Sequence, residues 1–326
     1  MHWHSSPTRP AVLAALALVL AATHAIAQPY PSRPIRLVIP FAPGGLVDVP
    51  GRVLAQKLTE ALGQPMVVEN RAGAGSTIGA DHVAKSKPDG YTLLMTSTTH
   101  VISANLYKSL PYDSLRDFAP VMKLAEGPYV LVVNPALRAS SVAELIALAR
   151  EHPGRIDYAS SGNGSSQHLV AALFCSTANA PMNHVPYKGS DRATQDILGG
   201  QVMVGFVGTP IALPHVKSGR LRALAVSTAT RSAQMPGVPT LAEAGVPGYE
   251  ATIWIGLFAP AGTPSEILTR LHAEISRVLA APEARAQIGA TGVDVSLAGA
   301  EDFASFVRAE HAKWGKVVRD TGATVN

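Results

Sequence analysis

Five loops rich in glycine and small hydroxyl residues follow apolar, strand-like stretches of this chain. They are APGGLVD (42–48), NRAGAGSTIGAD (70–81), STTH (97–100), SSGNGSSQH (160–168) and VPYKGS (185–190). Successive backbone N–H groups in such loops can hold an anion, and the N-terminus of a following helix adds a partial positive charge. The pattern is compatible with a phosphate cradle, with an oxyanion hole for catalysis, or with a seat that only binds a carboxylate.

The sequence motifs of common nucleotide-binding and hydrolytic sites are incomplete or missing. GAGSTI and GNGSSQ begin like a dinucleotide fingerprint, but their sixth positions are Ile78 and Gln167. No Walker loop, Gly-x-Ser-x-Gly nucleophile elbow or His-Glu-x-x-His metal helix occurs. The first loop also contains no lysine or arginine, which favours a carboxylate over a phosphate as its ligand.

Ser165 and His168 lie three residues apart where a helix is expected to begin. This spacing is typical of a helix N-cap, and catalysis by a serine nucleophile with a histidine base is the alternative. His82, His100, His184 and His215 are isolated and lack the spacing of metal ligands. Each of them is therefore predicted to lie on the surface or in the core and not to bind a metal.

Asp48 also has two interpretations. It precedes Pro50, so it can cap the first helix while the proline occupies a first-turn position whose N–H has no helical partner. Alternatively, its carboxylate fixes the loop at Gly44 and Gly45 or meets a positively charged part of a ligand. Glycine in this loop allows the backbone to approach a ligand closely.

The first 27 residues have the pattern of a secretory signal peptide. Arg9 precedes the short apolar run AVLAALALVLAA, and Ala25-Ile26-Ala27 forms a small-x-small cleavage pattern. Gln28 follows the cut in place of a cysteine, so no lipid anchor is predicted. We expect an exported, soluble, periplasmic protein of 326 − 27 = 299 residues, enough for two domains.

Net charge and cysteine content argue against a nucleic-acid-binding protein and against a protein stabilised by disulfides. A net charge of +4 with scattered basic residues argues against nucleic-acid binding. The single cysteine, Cys175, excludes an internal disulfide and is expected to be a buried core thiol. Stability must therefore come from packing.

The hydrophobic pattern predicts an α/β fold with two series of alternating strands and helices. The stretches VMKLAE and YVLVVNP are predicted as two strands in series, and a mostly apolar stripe along about 300–319 predicts a final helix that packs on the core. The chain would pass from one domain to the other near Glu126–Tyr129 and return near Tyr249–Thr252, and these two crossings would form a hinge. We predict domain 1 over 28–128 plus 250–326 and domain 2 over 129–249, as in hinged clamshell proteins.

Six segments in order extend over almost the entire mature chain. They are RPIRLVIPFAPGGLVDVPGR, VVENRAGAGSTIGADHVAKSKPDGYTLL, YASSGNGSSQHL, HVPYKGSDRATQDILGGQV, IALPHVKSGRLRALAVST and GLFAPAGTP. Together they resemble the Bug-type extracytoplasmic substrate-binding proteins of tripartite tricarboxylate transporters. The resemblance implies a two-domain periplasmic binding protein, type II-like, each domain a mixed or parallel sheet flanked by helices. It implies no enzyme activity and no cofactor.

The resemblance also assigns residues to a carboxylate site. The first loop contributes Pro43, Gly44, Gly45 and Asp48, the second Gly75, Ser76 and Thr77, and the opposing loop Ser160, Ser161, Gly164 and Ser165. Ser97 and Tyr187, from the third and fifth loops, complete the predicted ligand-binding set.

Val204 and Val207 stand where members of this family often carry acids. Loss of an acid from the cleft would weaken recognition of a ligand ammonium, so we expect a ligand other than an amino acid. The expected partners are a small organic carboxylate and the membrane subunits of a transporter, and the expected state is a monomer. Two alternatives stay open: a secreted hydrolase that uses Ser165 and His168, and a ligand sensor that docks on a signalling protein.

Overall fold

Ten strands and ten helices alternate along residues 30–324, the part of the chain that the computed structural model describes. The predicted signal peptide, 1–27, lies outside the described residues. Within 30–324, no helix combines the length and the apolar character needed to cross a membrane.

The strands and helices alternate as the two predicted series require, with additional elements described below. The strands are β1 (Ile35–Ile39), β2 (Met66–Asn70), β3 (Thr92–Ser97), β4 (Phe118–Val133), β5 (Asp157–Ser160), β6 (Asn183–Pro186), β7 (Val204–Gly208), β8 (Arg222–Val226), β9 (Thr252–Pro260) and β10 (Asp294–Ala298). The helices are α1 (Asp48–Leu62), α2 (Thr77–Ala84), α3 (Thr99–Leu106), α4 (Val142–Glu151), α5 (Ser166–Thr177), α6 (Ser190–Leu198), α7 (Thr209–Lys217), α8 (Ser265–Leu279), α9 (Pro282–Gly289) and α10 (Ala300–Thr321).

Each half of the molecule is built on a mixed sheet. In the first half, β1 pairs parallel with β2 and β3, while β9 pairs antiparallel with β3 and β4. In the second half, β5 pairs parallel with β6 and β7, while β4 pairs antiparallel with β7 and β8. All six residues of β3 are buried, as expected for a strand in a sheet that helices cover on both faces. The predicted α/β class is confirmed.

A single strand, β4, connects the two halves. The two strands predicted in series are one 16-residue strand, because no turn interrupts the ladder. Residues up to Pro128 pair with β9, and residues from Tyr129 pair with β7 and β8. The chain returns at Thr252, which lies opposite Pro128. The predicted domain boundaries fall beside these two crossings, and the division at those residues stays a prediction.

One hydroxyl group ties the two crossings together. Ser227 Oγ accepts a hydrogen bond from Tyr129 N at 2.8 Å and donates one to Ala251 O at 2.5 Å. The backbone of Ser227 adds two more bonds, to Tyr129 O and from Ala251 N, each of 2.9 Å. These four hydrogen bonds hold the two crossings side by side.

Three elements were not predicted from the sequence. The eight-residue α3 contains several β-branched residues, which have low helix propensity. Helix α7 contains Pro210 in its first turn and Pro214 further on, which obscure its helical pattern. Strand β10 is only partly buried and lacks an apolar run.

The last helix, α10, packs on the first sheet as its apolar stripe predicts. Phe303 and Trp314 are fully buried, and the ring of Phe303 lies against Gly256, where a Cβ atom would come within 2.1 Å of it. Glu310 is also buried, and its carboxylate accepts hydrogen bonds from the indole nitrogens of Trp254 at 3.2 Å and Trp314 at 2.9 Å. The stripe is a core face.

Replacing Phe303 with alanine removes an aromatic ring from this core. We expect Phe303→Ala to lower the free energy of unfolding by about 3 to 5 kcal/mol, because Gly256 offers no side chain to fill the cavity. The matched control is Lys316→Ala on the exposed face of α10, with an expected change of about 0.5 kcal/mol or less. Denaturant unfolding measures both, and equal effects would contradict a core role for the stripe.

Candidate functional site

A cleft of about 830 Å³ lies between the two halves of the molecule. The first half contributes residues 41–47, Val49 and residues 97–99, and the second half contributes residues that include Ser161, Ser166, Gly208, Pro210 and Ile211. Tyr129 and Ile253, which adjoin the two crossings, also line it. The cleft is therefore placed where movement at the crossings would change its width.

Five helices begin at this cleft, and each contributes residues from its N-terminal end to the lining. Helix α1 contributes Val47 and Val49, α3 Thr98 and Thr99, α5 Ser166 and Gln167, α6 Ser190 and Asp191, and α7 Gly208, Pro210 and Ile211. An N-terminus carries about half a positive elementary charge, and it stabilises an anion by about 0.3 to 2 kcal/mol depending on burial. No lysine, arginine or histidine of residues 30–324 lines the cleft. Its positive potential comes from the backbone.

The loop before α1 presents Pro43, Gly44 and Gly45 to the cleft. Gly44 has a φ of +80°, a backbone conformation that favours glycine. Its N–H donates a 2.8 Å hydrogen bond to Asp48 Oδ2. The helix cap is Val47, and Asp48 is the first residue inside the helix, so the prediction that Asp48 caps α1 is wrong. Its carboxylate turns back to the loop because three donors surround it there.

The carboxylate of Asp48 is buried, with 1% of the residue exposed, and it organises the loop. Arg52 donates to both of its oxygens, at 2.8 and 3.1 Å, and Asn70 Nδ2 donates at 2.7 Å. Burial by itself raises the pKa of Asp48, but the hydrogen bonds from Arg52, Gly44 and Asn70 outweigh burial and hold this pKa below its ordinary value of 3.8. Asp48 therefore stays charged at neutral pH. It does not itself line the cleft.

The third loop brings Ser97 to the cleft beside Thr98 and Thr99. Thr98 also joins the loop to the returning strand, since its Oγ1 donates to Thr252 O and accepts from Trp254 N, both at 3.1 Å. The position of the third loop is thus coupled to the crossing.

The three residues predicted from the second loop do not line the cleft. Ser76 and Thr77 are buried, and Gly75 O accepts a 2.6 Å hydrogen bond from Ser103 Oγ on α3. In this conformation the loop supports α3, whose N-terminus faces the cleft. Their direct contact with a ligand stays a prediction.

Of the four residues predicted from the opposing loop, Ser161 lines the cleft. Ser165 is the N-cap of α5, with its Oγ accepting from His168 N at 3.2 Å, and Gly164 N donates to His168 Nδ1 at 3.1 Å. Tyr187, from the fifth loop, does not line the cleft, and its N–H donates to Ser160 O at 3.0 Å. Gly164, Ser165 and Tyr187 hold the loop in place.

Two histidines that looked isolated in the sequence stack behind this loop. The rings of His168 and His184 lie 3.8 Å apart and nearly parallel, and Tyr158 stacks on both. Burial, with a smaller contribution from His168, lowers the pKa of His184 to about 4, and burial lowers the pKa of His168. Both rings are therefore neutral at neutral pH.

A serine–histidine pair does occur here, but it differs from the predicted one. Ser160 Oγ lies 2.6 Å from His184 Nε2, whereas Ser165 Oγ bonds only the backbone N–H of His168. Ser160 is fully buried in this conformation, and its direct contact with a ligand stays a prediction. The geometry expected for Ser165 as a nucleophile activated by His168 is absent from the described residues.

Sequence reasoning missed Tyr129, Ser166, Gln167, Ser190 and Asp191 as lining residues. Four of them occupy the first two positions of α5 and α6, so the predicted helix starts were the signal that could have identified them. The structure also corrects the expectation for Val204 and Val207, because both are buried in β7 and neither lines the cleft. The expectation of a ligand other than an amino acid loses its basis.

Two α/β halves, two adjoining crossings and a cleft without cationic side chains define a hinged solute-binding protein. Residues 51–323 match the family described as "Tripartite tricarboxylate transporter family receptor". The chain belongs to this family, whose members are extracytoplasmic binding proteins, and the resemblance read from the six segments is confirmed.

Relatives match the chain over nearly its whole length. BugT of Bordetella pertussis is 43% identical over 315 residues, which cover 94% of this chain and 96% of BugT. Rpa4515 of R. palustris, solved with adipate, is 36% identical with a TM-score of 0.78, covering 90% of this chain and 99% of Rpa4515. MatC of Rhodopseudomonas palustris, with bound malate, is 32% identical with a TM-score of 0.74, covering 89% of this chain and 100% of MatC.

The contacts of Asp48 generate a pH-dependent prediction. We expect Asp48→Asn to lower the free energy of unfolding at pH 7 by about 1 to 3 kcal/mol, because a hydrogen-bonded buried charge is lost. The folded pKa is depressed, so this stabilisation is complete above the ordinary value of 3.8 and is lost as the pH falls through the folded pKa. Unfolding curves of the two proteins should converge only in that acid range, and a constant difference down to pH 2 would contradict the assignment.

Proposed function

We propose that the protein captures a small carboxylate in the cleft between its halves and delivers it to the membrane subunits of a tripartite tricarboxylate-type transporter. The observation that carries this proposal is the convergence of five helix N-termini on a cleft without a cationic side chain. Such a cleft favours an anion. A carboxylate suits it better than a phosphate, which is more highly charged and commonly paired with arginine or lysine.

Ligands of relatives support the same class of solute. Rpa4515 was solved with adipate and MatC with malate, and both molecules are small carboxylates. By analogy, Pro43, Gly44, Gly45 and Ser97 contact the ligand from the first half and Ser161 from the second. The protein acts as a periplasmic monomer.

The function requires no chemical step. We expect the ligand to be bound and released unchanged, which the cap position of Ser165 and the burial of Ser160 support. Delivery to a transporter is favoured over signalling by the family's description as a transporter receptor.

Titration calorimetry with carboxylic acids and their primary amides tests the proposal. If helix termini hold the carboxylate, each acid should bind about 30-fold or more tightly than its amide, corresponding to about 2 kcal/mol. The panel consists of acids of two to eight carbons, and recovery of unchanged acid after incubation tests for turnover. Equal affinity of acids and amides would overturn the carboxylate assignment, and turnover would overturn the binding-protein assignment.

Gly45→Val tests whether the loop before α1 contacts the ligand, with the same panel of acids. We expect it to weaken binding of the best acid by about tenfold or more, because an isopropyl group replaces open backbone in the lining. Gly237→Val is the matched control, since Gly237 is also exposed, has no neighbour within 4 Å of an added Cβ and lies outside the cleft. Equal affinities of the two folded variants would show that the loop is not the seat.

Ligand binding should also close the cleft. Groups from both halves reach a small ligand together only when the halves approach, so the closed state gains the additional contacts. Moving the ratio of closed to open molecules from 1:99 to 99:1 requires the ligand to bind the closed state about 5.5 kcal/mol more favourably than the open state. A ligand with a micromolar dissociation constant has a total binding free energy of roughly 8 kcal/mol, which is enough. Small-angle scattering should show a smaller radius of gyration with saturating acid, and an unchanged radius despite measured binding would contradict closure.

A further inference from the structure

The cleft wall contains one ionised side chain among residues 30–324, and that side chain is acidic. Asp191 lines the cleft in the first turn of α6, while the other lining residues are apolar, hydroxyl, amide, glycine or tyrosine. Lys188 and Arg192 are its nearest charged neighbours in sequence, and neither lines the cleft. The charge of Asp191 is thus the side-chain charge that a bound solute meets.

The environment of Asp191 differs from that of Asp48. Asp48 is buried and accepts hydrogen bonds from Arg52 and Asn70, whereas Asp191 is exposed and makes no salt bridge or side-chain hydrogen bond within the described residues. The carboxylate of Asp48 is fully used in hydrogen bonds that hold the loop before α1. The carboxylate of Asp191 is available to the contents of the cleft.

Asp191 is held close to the opposing loop that carries Ser161. Gly189, just before α6, donates its N–H to Ser161 O at 3.3 Å, and Tyr187 N donates to Ser160 O. The start of α6 and the Ser161 loop therefore move as one wall. Asp191, two residues after Gly189, therefore belongs to the same wall of the cleft as Ser161.

The sum of charges in the cleft limits what it can hold. Five helix N-termini of about +0.5 each supply about +2.5, and Asp191 reduces this to about +1.5. One ligand carboxylate brings the total to about +0.5, and a second would make it about −0.5. Either total lies within about half a charge of zero, so the sum allows one carboxylate or two, and repulsion by Asp191 favours the solute with one.

Apolar side chains form much of the remaining wall. Phe41, Leu46, Val49, Ile211 and Ile253 all line the cleft. They suit a hydrocarbon body between the two ends of a solute, and they offer no partner to a second carboxylate. Among the described lining residues, Asp191 is the charged acceptor available to a hydrogen-bond donor at the far end of a solute.

We propose that Asp191 determines specificity by selecting a solute with one carboxylate, an apolar body and a far end that donates a hydrogen bond, an ammonium most strongly and a hydroxyl next. This assignment rests on the proposed function and names its solute class. An acid in the first turn also stabilises its own helix, so the test must measure preference between ligands and not binding alone.

Two series of matched ligands test the contribution of the group at the end of the solute opposite the carboxylate. Hexanoate, 6-hydroxyhexanoate, 6-aminohexanoate and adipate share a six-carbon chain with a carboxylate at one end and differ at the other end. Butyrate, 4-hydroxybutyrate, 4-aminobutyrate and succinate repeat the design at four carbons. Calorimetry on the full mature protein gives the ratio of the dissociation constants of the dicarboxylate and the amino acid. We expect the natural protein to prefer the amino acid by about tenfold or more.

Asp191→Asn should reduce that ratio by about tenfold, because the dicarboxylate gains affinity while the amino acid loses it. The control is Asp302→Asn, which removes an exposed first-turn acid from α10, outside the cleft, and should leave the ratio unchanged. If Asp191 had a purely structural role, Asp191→Asn would change the dissociation constants of all ligands by the same factor. An unchanged ratio in folded Asp191→Asn, or a natural preference for the dicarboxylate, overturns the role of Asp191 while leaving the carboxylate function intact. If acids of neither series nor of the longer panel bind, the proposed function fails and this inference fails with it.

Discussion

No cationic side chain lines the cleft within residues 30–324, so its positive potential depends on helix N-termini, and this constraint accounts for much of the architecture. Partial charges at helix N-termini act only within about a turn, so several helices must begin at one place. In this fold α1 and α3 follow strands of the first sheet, and α5, α6 and α7 follow strands of the second. Their starts meet because the ends of β1, β3, β5, β6 and β7 lie along the gap between the sheets, where loops of open α/β sheets gather their ligands.

A backbone seat requires accurate loop geometry, because an N–H group cannot reorient as a side chain can. The buried carboxylate of Asp48 supplies this accuracy by accepting from Gly44, Arg52 and Asn70. The opposing loop is fixed differently, through the Ser165 cap and the neutral stacked rings of His168 and His184. Both arrangements keep charged or titratable groups behind the loops, where they hold shape without meeting the solute.

The crossings combine strength with freedom to bend. Strand β4 runs unbroken from one sheet to the other, and within residues 30–324 the other chain passage beside it is the segment before β9. Ser227 bonds both passages at once, which fixes their spacing but leaves rotation about them possible. Thr98 bonds the returning strand close to the cleft, so movement at the crossings and the position of a lining loop are linked.

The sequence by itself determined the α/β class, the order of most strands and helices, the Pro-Gly-Gly loop and the family, because these depend on local hydrophobic period, turn residues and contiguous motifs. It also placed the crossings near Tyr129 and Thr252, where the strand-rich segments lie. Tertiary structure alone decided which loop residues face the cleft. Ser76 and Ser160 look like ligand hydroxyls in sequence, yet packing buries them, while Ser190 and Asp191 reach the cleft because β6 delivers α6 beside the Ser161 loop. The same holds for Val204 and Val207, which are buried in β7, and for Asp48, whose carboxylate accepts from Asn70 at the end of β2 as well as from Gly44 and Arg52 nearby in sequence. Such side-chain directions depend on contacts between residues distant in sequence, which local pattern does not encode.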